Sequence, residues 1–348
     1  MTAAIRTLHL TKFYGRHRGI DDVDLTVETG EVFGFLGPNG AGKSTTIKLL
    51  IDILRPTRGS ASVLGLDPRV SSVELRRRIG YLPGDLALYP KMTGRALCHY
   101  FSSIHDVDGM IGIKSAMRAD QLAERLHLDL DRRIGELSSG NRQKVGLVQA
   151  FMHDPELLIL DEPTSGIDPL IQQEFYSLVN ETRDRGGTVF LSSHVLPEVE
   201  HVADRVALIR DGKIVVVERL SVLKEAAVRS IEVHFARPVD ANKFGTLKSV
   251  VEVAQSSDQS RMILRVAGDI DKVIKAIAKH KVLNLVSEPG DLEDVFLDYY
   301  RDDPRLDEPP EEFSKFDEDL DDSASEDLPV EDLSVEDDGG NRLAGDDQ

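Results

Sequence analysis

Nine consecutive residues, Gly37-Pro38-Asn39-Gly40-Ala41-Gly42-Lys43-Ser44-Thr45, fit the spacing Gly-x-x-x-x-Gly-Lys-Ser/Thr. Glycines at these places let successive backbone N–H groups turn inward and cradle phosphate oxygens. A helix expected from about Lys43 to Ile53 aims its positive N-terminal end at the same anion. Lys43 supplies a point charge for β- and γ-phosphates, and the Ser44 hydroxyl suits Mg2+. A second cluster closes the run Leu157-Leu158-Ile159-Leu160-Asp161-Glu162, where two carboxylates end an apolar strand. Such strand ends form the ligand edge of an open α/β sheet. Asp161 there suits Mg2+, through water, and Glu162 suits a general base that polarises an attacking water. The phosphate loop alone would serve a kinase, a small GTPase or a motor equally well; the carboxylate pair points to hydrolysis of a nucleoside triphosphate.

These groups need rigid elements to hold them. The run Val32-Phe33-Gly34-Phe35-Leu36 leads straight into the loop and reads as a strand, from about Glu31 to Leu36. Leu157–Leu160, Thr188–Ser192 and Val206–Ile209 read likewise, and helical patterns lie between them. Alternation of this kind over residues 1–220 predicts an α/β domain with a largely parallel sheet. Asp211-Gly212 is a turn signal before Ile214–Val217, so a hairpin is expected at the sheet edge. Residues 85–154 hold few β-branched runs and many helix formers, as in Ser115–Leu128 and Asn141–Met152, and read as a helical insertion. Residues 221–301 read as a small C-terminal α+β domain. Its strands are expected at Ser230–Ala236, Val250–Val253, Arg261–Val266 and Val282–Val286, with helices at Ile270–Lys279 and Leu292–Tyr300.

The charge is unevenly placed. Of 61 acidic and 42 basic residues, which set a net charge of -19, 20 acidic and 3 basic ones lie in residues 302–348. This tail cannot bury enough apolar surface to offset its ordering entropy, so disorder is expected. The remainder is nearly neutral, which disfavours a nucleic-acid partner. Cys98, a single cysteine, excludes a disulfide framework and a Cys-rich zinc site, and fits a reducing compartment. No apolar run reaches about 18 residues and no signal-peptide pattern is present, so work at a membrane would need a partner to hold the chain there.

Further residues carry a family resemblance over about residues 5–220. Leu137-Ser138-Ser139-Gly140-Asn141 resembles the Leu-Ser-Gly-Gly-Gln signature of the ATP-binding cassette (ABC) ATPases. Ser165-Gly166-Ile167-Asp168 resembles their D-loop, and His194 stands at their switch-histidine position. Tyr14, in Lys12-Phe13-Tyr14-Gly15, matches the aromatic that stacks on adenine. The resemblance implies a P-loop NTPase cassette: a parallel-sheet core, a helical insertion and antiparallel edge strands. It implies ATP and Mg2+ as ligands, with Lys43, Glu162 and His194 catalytic. Nucleotide contacts would come from Tyr14, Gly37, Pro38, Asn39, Gly40, Ala41, Gly42, Lys43, Ser44, Thr45, Ser138, Gly140 and Asp168, and Mg2+ contacts from Ser44 and Asp161.

It also implies that the two half-sites meet in trans. The phosphate loop of one subunit would face the Ser138 and Gly140 segment of a second, taken as another copy of this chain. Asn141-Arg142-Gln143-Lys144-Val145-Gly146-Leu147, Phe151-Met152-His153-Asp154-Pro155 and Leu292-Glu293-Asp294-Val295-Phe296-Leu297 look like the ABC-2 exporter branch. There the ATPase is a separate chain that powers a polytopic membrane permease, exporting a drug-, antibiotic- or lipid-like molecule from the cytoplasmic face of the membrane. A groove near residues 84–90, with Leu86, Leu88 and Tyr89, would take a permease helix. Other readings are a soluble cassette ATPase acting on ribosomes or DNA, and a regulatory subunit with a degraded site. Two departures bear on the last. Gly84, followed by Asp85, stands where the family has Gln, with Asp85 a candidate Mg2+ contact in its place; and the signature has Ser139 and Asn141 for Gly and Gln.

Overall fold

A computed structural model describes residues 3–105 and 111–288, together with Gly290, Leu292, Val295 and Phe296. The expected acidic tail and most of the final helix lie outside the described residues; Leu292, Val295 and Phe296 are helical. The described residues form one compact unit.

In chain order the strands are β1 (Ala3–Tyr14), β2 (His17–Glu28), β3 (Val32–Leu36), β4 (Arg58–Val63), β5 (Ile79–Leu82), β6 (Leu157–Asp161), β7 (Thr188–Ser193), β8 (Arg205–Arg210) and β9 (Lys213–Arg219). The helices among them are α1 (Lys43–Leu50), α2 (Ser72–Arg78), α3 (Gly94–His105), α4 (Ile111–Arg125), α5 (Ser139–Phe151), α6 (Pro169–Asp184) and α7 (Leu196–Val202). Then come α8 (Leu220–Ala226), β10 (Arg229–Phe235), α9 (Asn242–Gly245), β11 (Val250–Gln255), β12 (Arg261–Val266), α10 (Asp271–Ile277) and β13 (Val282–Glu288).

The main sheet has six strands in the order β5-β6-β7-β3-β8-β9. Its first five are parallel, and β9 runs antiparallel at the edge as the Asp211-Gly212 turn requires. Strands β3, β6 and β7 are buried throughout, as parallel strands covered on both faces must be. Strand β3 shows why. Val32 and Leu36 belong to a core shared with α4, α5 and α6, whereas Phe33 and Phe35 belong to the opposite core. Gly34 between them admits Val199 of α7, whose Cγ1 would lie 2.3 Å from any Cβ at that position.

The opposite core is closed by a second, three-stranded antiparallel sheet in the order β2-β1-β4. Ile5, Leu10, Ile20, Val23, Leu25, Val27 and Val63 face inward from it. The antiparallel strands therefore form a layer of their own as well as the expected edge hairpin. Between residues 85 and 154 the described residues form helices α3, α4 and α5 joined by non-helical segments, with Val145, Val148 and Met152 buried on one face of α5 and just beyond it. Leu86 and Leu88 pack toward the core, while Tyr89 is exposed.

Strands β10 to β13 form a four-stranded antiparallel sheet in the order β11-β12-β10-β13, with its own core around Phe235, Phe244 and Leu264. Alternation on β12, with Met262, Leu264 and Val266 inward, matches its sequence pattern. Leu220, Leu223, Ala227, Leu292 and Phe296 pack into the core shared with α4, α5 and α6.

Candidate functional site

Sheet register brings the expected groups together. Leu36 of β3 pairs with Ser193 of β7, and Asp161 of β6 pairs with Ser192 of β7. Three adjacent parallel strands thus end side by side, one leading into the phosphate loop, one in the carboxylates and one in His194. The Gly37 N–H extends the pairing by donating to the Ser193 carbonyl over 3.3 Å.

Backbone proximity dictates glycine at the loop. A Cβ on Gly37 would lie 2.3 Å from the Ile209 carbonyl oxygen. Gly42 has φ +108° and would place a Cβ 2.7 Å from the Gly19 carbonyl oxygen, so it combines close approach with a left-handed backbone. Helix α1 begins immediately after it. Lys43 is buried beneath the loop, and its Nζ donates to the carbonyls of Gly37 at 2.7 Å and Pro38 at 3.2 Å. Pro38, Asn39, Gly40 and Ser44 are exposed on the rim.

The carboxylates are held differently. Asp161 is buried, and Ser192 donates its hydroxyl to Oδ1. A Cβ at position 84 would lie 3.1 Å from Oδ2, so Gly84 is the residue seated against this carboxylate; Asp85 beside it is exposed. Burial, with the Asp161 charge nearby, pushes the Tyr81 phenol up to about 12. Glu162 adopts φ +50°, a left-handed conformation rare for a non-glycine residue. Its N–H donates to the Ser192 carbonyl over 3.1 Å. Both carboxylate oxygens are engaged, Oε1 with Lys43 Nζ at 3.2 Å and Oε2 with His194 Nδ1 at 2.7 Å. His194 is half-exposed and reaches inward by this contact.

Around this centre stand residues that sequence reasoning passed over. Glu198 of α7 accepts from Ser193 Oγ at 2.6 Å and from the Thr164 hydroxyl, tying the segment after β6 to the segment after β7. Gln143 of α5 donates to the carbonyls of Glu162 at 3.2 Å and Pro163 at 3.1 Å. The available signal was the pair Ser192-Ser193 ending an otherwise apolar strand, since buried hydroxyls need partners.

Ser138 and Asp168 are exposed helix caps, outside the hydrogen-bond network around Glu162. Ser138 accepts from Asn141 N at 3.2 Å at the start of α5, and Asp168 accepts from Ile171 N at 3.1 Å at the start of α6. The two cap segments touch: a Cβ on Gly140 would lie 2.5 Å from the Gly166 carbonyl oxygen. Tyr14 is 45% exposed, beside Gly19, with the Lys12 ammonium 5.4 Å from its ring centroid. The chain therefore gathers the loop, the carboxylates and His194 at one centre and presents a separate exposed edge with a second helix N-terminus.

Comparison with known proteins gives a consistent result. The family model described as ABC transporter matches residues 20–165. The bacitracin transport ATP-binding protein BcrA of Bacillus licheniformis is 36% identical over 217 residues, covering 62% of this chain and 69% of that protein. The uncharacterized ABC transporter ATP-binding protein YhaQ of Bacillus subtilis is 30% identical over 296 residues, 83% of this chain and 96% of its own length. Among solved structures, an ATP-binding subunit of an ABC transporter superimposes with a TM-score of 0.60 at 29% identity, covering 64% of this chain and 92% of that one.

Proposed function

The chain belongs to the ABC transporter family as an ATP-binding ATPase, and we propose that it hydrolyses ATP at the Lys43–Glu162–His194 centre to power a separate membrane permease. The observation that carries this reading is the two-sided hold on Glu162, by Lys43 at one carboxylate oxygen and His194 at the other, beside the phosphate loop. Loop amides from Gly37 to Thr45 and the N-terminal end of α1 bind the phosphates. Lys43, already held at the loop carbonyls, meets the β- and γ-phosphates. Tyr14, exposed and next to Gly19 and so to the loop's flank, stacks on adenine. Glu162 takes a proton from the attacking water, and His194 keeps its carboxylate oriented.

Mg2+ fits the donor set: Asp161 Oδ1 is occupied by Ser192, and Oδ2 faces a residue without a side chain. Ser44 and Asp161 would hold the ion, with Asp85, next to Gly84, a further candidate contact, and it would neutralise phosphate charge when bound. We further propose that two copies of this chain enclose two ATP molecules, Ser138, Gly140 and Asp168 of one copy meeting the nucleotide on the other. The separate exposed edge supports this. The division into a cassette at 1–220 with an insertion at 85–154, an accessory domain at 221–301 and a tail from 302 is likewise our proposal.

No described helix is long and apolar enough to cross a membrane. Attachment to the cytoplasmic face of the membrane would therefore run through the permease, docked near residues 84–90, where Tyr89 is exposed. The bacitracin transport relative supports an antibiotic- or drug-like cargo. The test is twofold. Glu162→Gln should bind ATP, lose roughly 100-fold or more of its turnover and accumulate as a dimer. The tagged chain should co-purify from its native membrane with a polytopic protein in near-equal amount. Undiminished turnover in the variant would remove Glu162 from its role, and recovery without a membrane partner would remove the transporter reading.

A further inference from the structure

Gln143 lies one turn into α5 and is only 7% exposed. Its amide nitrogen spends both hydrogens on backbone carbonyls, those of Glu162 and Pro163, at 3.2 and 3.1 Å. Those carbonyls belong to the peptide units directly after the carboxylate pair. Glu162 needs help there, because its φ of +50° persists only where the surroundings over-determine it. The Ser192 carbonyl holds the N–H side of the residue, and Gln143 holds the C=O side. Lys43 and His194 fix the end of the side chain, whereas these backbone contacts fix the point from which it springs.

We propose that Gln143 is a positioning residue for ATP hydrolysis. It keeps Glu162 in the left-handed conformation that aims its carboxylate between Lys43 and His194, and it couples that aim to the position of α5. The inference rests on Glu162 being the base.

The test compares the full-length chain with Gln143→Met, Gln143→Asn and Glu162→Gln. Methionine keeps length and apolar fit but removes both donors; asparagine keeps the donors but is too short to place them. Each Gln143 variant should lose about 10- to 100-fold in kcat while its KM for ATP stays within about two-fold. Each should also accumulate an ATP-bound dimer, because assembly is intact and hydrolysis is slow. Wild-type kcat in Gln143→Met beside an inactive Glu162→Gln would overturn the proposal and leave the Glu162 assignment standing. So would a rise in KM with kcat unchanged. Full turnover in Glu162→Gln would instead overturn the reading beneath it. If the methionine variant does not fold, the asparagine variant carries the same test.

Discussion

Gly140→Ala separates the two half-sites. Gly140 lies in the first turn of α5, where an added Cβ would stand 2.5 Å from the Gly166 carbonyl oxygen. Real Cβ atoms essentially never approach closer than 3.0 Å, so one backbone must give by about half an ångström or more. Helix α5 is anchored by Val145, Leu147 and Val148, all fully buried. The exposed Gly166 segment is therefore what moves, and it carries Asp168 two residues on. Overpacking of this kind costs about 1–3 kcal/mol, while replacing a helical glycine by alanine recovers about 1 kcal/mol. The net loss of about 0–2 kcal/mol is too small to unfold a domain of ordinary stability. The chain's own phosphate loop is untouched, so ATP affinity, measured with a fluorescent analogue, should stay within about two-fold. Turnover should fall by about 10-fold or more, because the edge proposed to meet the other subunit's nucleotide is displaced. In a Glu162→Gln background the variant should no longer form dimers on addition of ATP, as read by light scattering. A double variant that dimerises as readily as Glu162→Gln alone would place Ser138 and Gly140 outside the nucleotide interface.

Two other perturbations follow from the geometry. Ser192→Ala removes the donor to Asp161 Oδ1; the Mg2+ concentration for half-maximal turnover should rise about 10-fold, and an unchanged Mg2+ titration would refute the positioning of Asp161 by Ser192. Arg125→Met cuts the ion pairs from α4 to Glu174 and Glu181 of α6. The Arg125 guanidinium, with Arg118 and Arg185, holds the Glu181 carboxyl below its ordinary value of 4.5. A depressed carboxyl pKa contributes stability that is complete above the unfolded value and is lost as pH falls through the folded one. The Tm gap between wild type and Arg125→Met should therefore be full at pH 7 and shrink as pH falls below about 4.5. A gap independent of pH would show that lost packing, not charge, accounts for it.

What the sequence reveals here follows from how local each feature is. The phosphate loop and the Asp161-Glu162 pair are contiguous, and the apolar runs before them read directly as buried strands. The antiparallel layer is harder to read. Strand β1 has register shifts, and His9 and Asp22 sit at φ +50° and +54°, which breaks the period of two. Leu8 is accordingly exposed between inward-facing stretches. The contacts of Ser192, Gln143 and Glu198 are hard to read for another reason. Each acts on a residue 19 to 34 positions away, and only the folded chain shows which polar side chain meets which partner. Strand β13 marks a further limit, since its apolar residues Leu283, Leu285 and Val286 are exposed at the sheet edge and not in a core.

The glycine at position 84 finds its place in this geometry. A side chain there would begin 3.1 Å from Asp161 Oδ2 and 3.2 Å from its Cγ, so the segment after β5 meets the carboxylate with backbone alone. Contact between the helical insertion and the strand end runs instead through α5. Gly140 and Gln143 stand three residues apart on that helix, about 4.5 Å along its axis. One faces the exposed edge where a second subunit's nucleotide would lie, and the other holds the backbone of Glu162. A buried helix moves as a rigid rod, because its packed side chains leave no slack for internal adjustment. Any tilt of α5 imposed at its N-terminus therefore reaches the Glu162 carbonyl within one turn. On the proposed dimer, a chain that lacks a side chain at position 84 still has a direct mechanical path from a second subunit's nucleotide to Glu162.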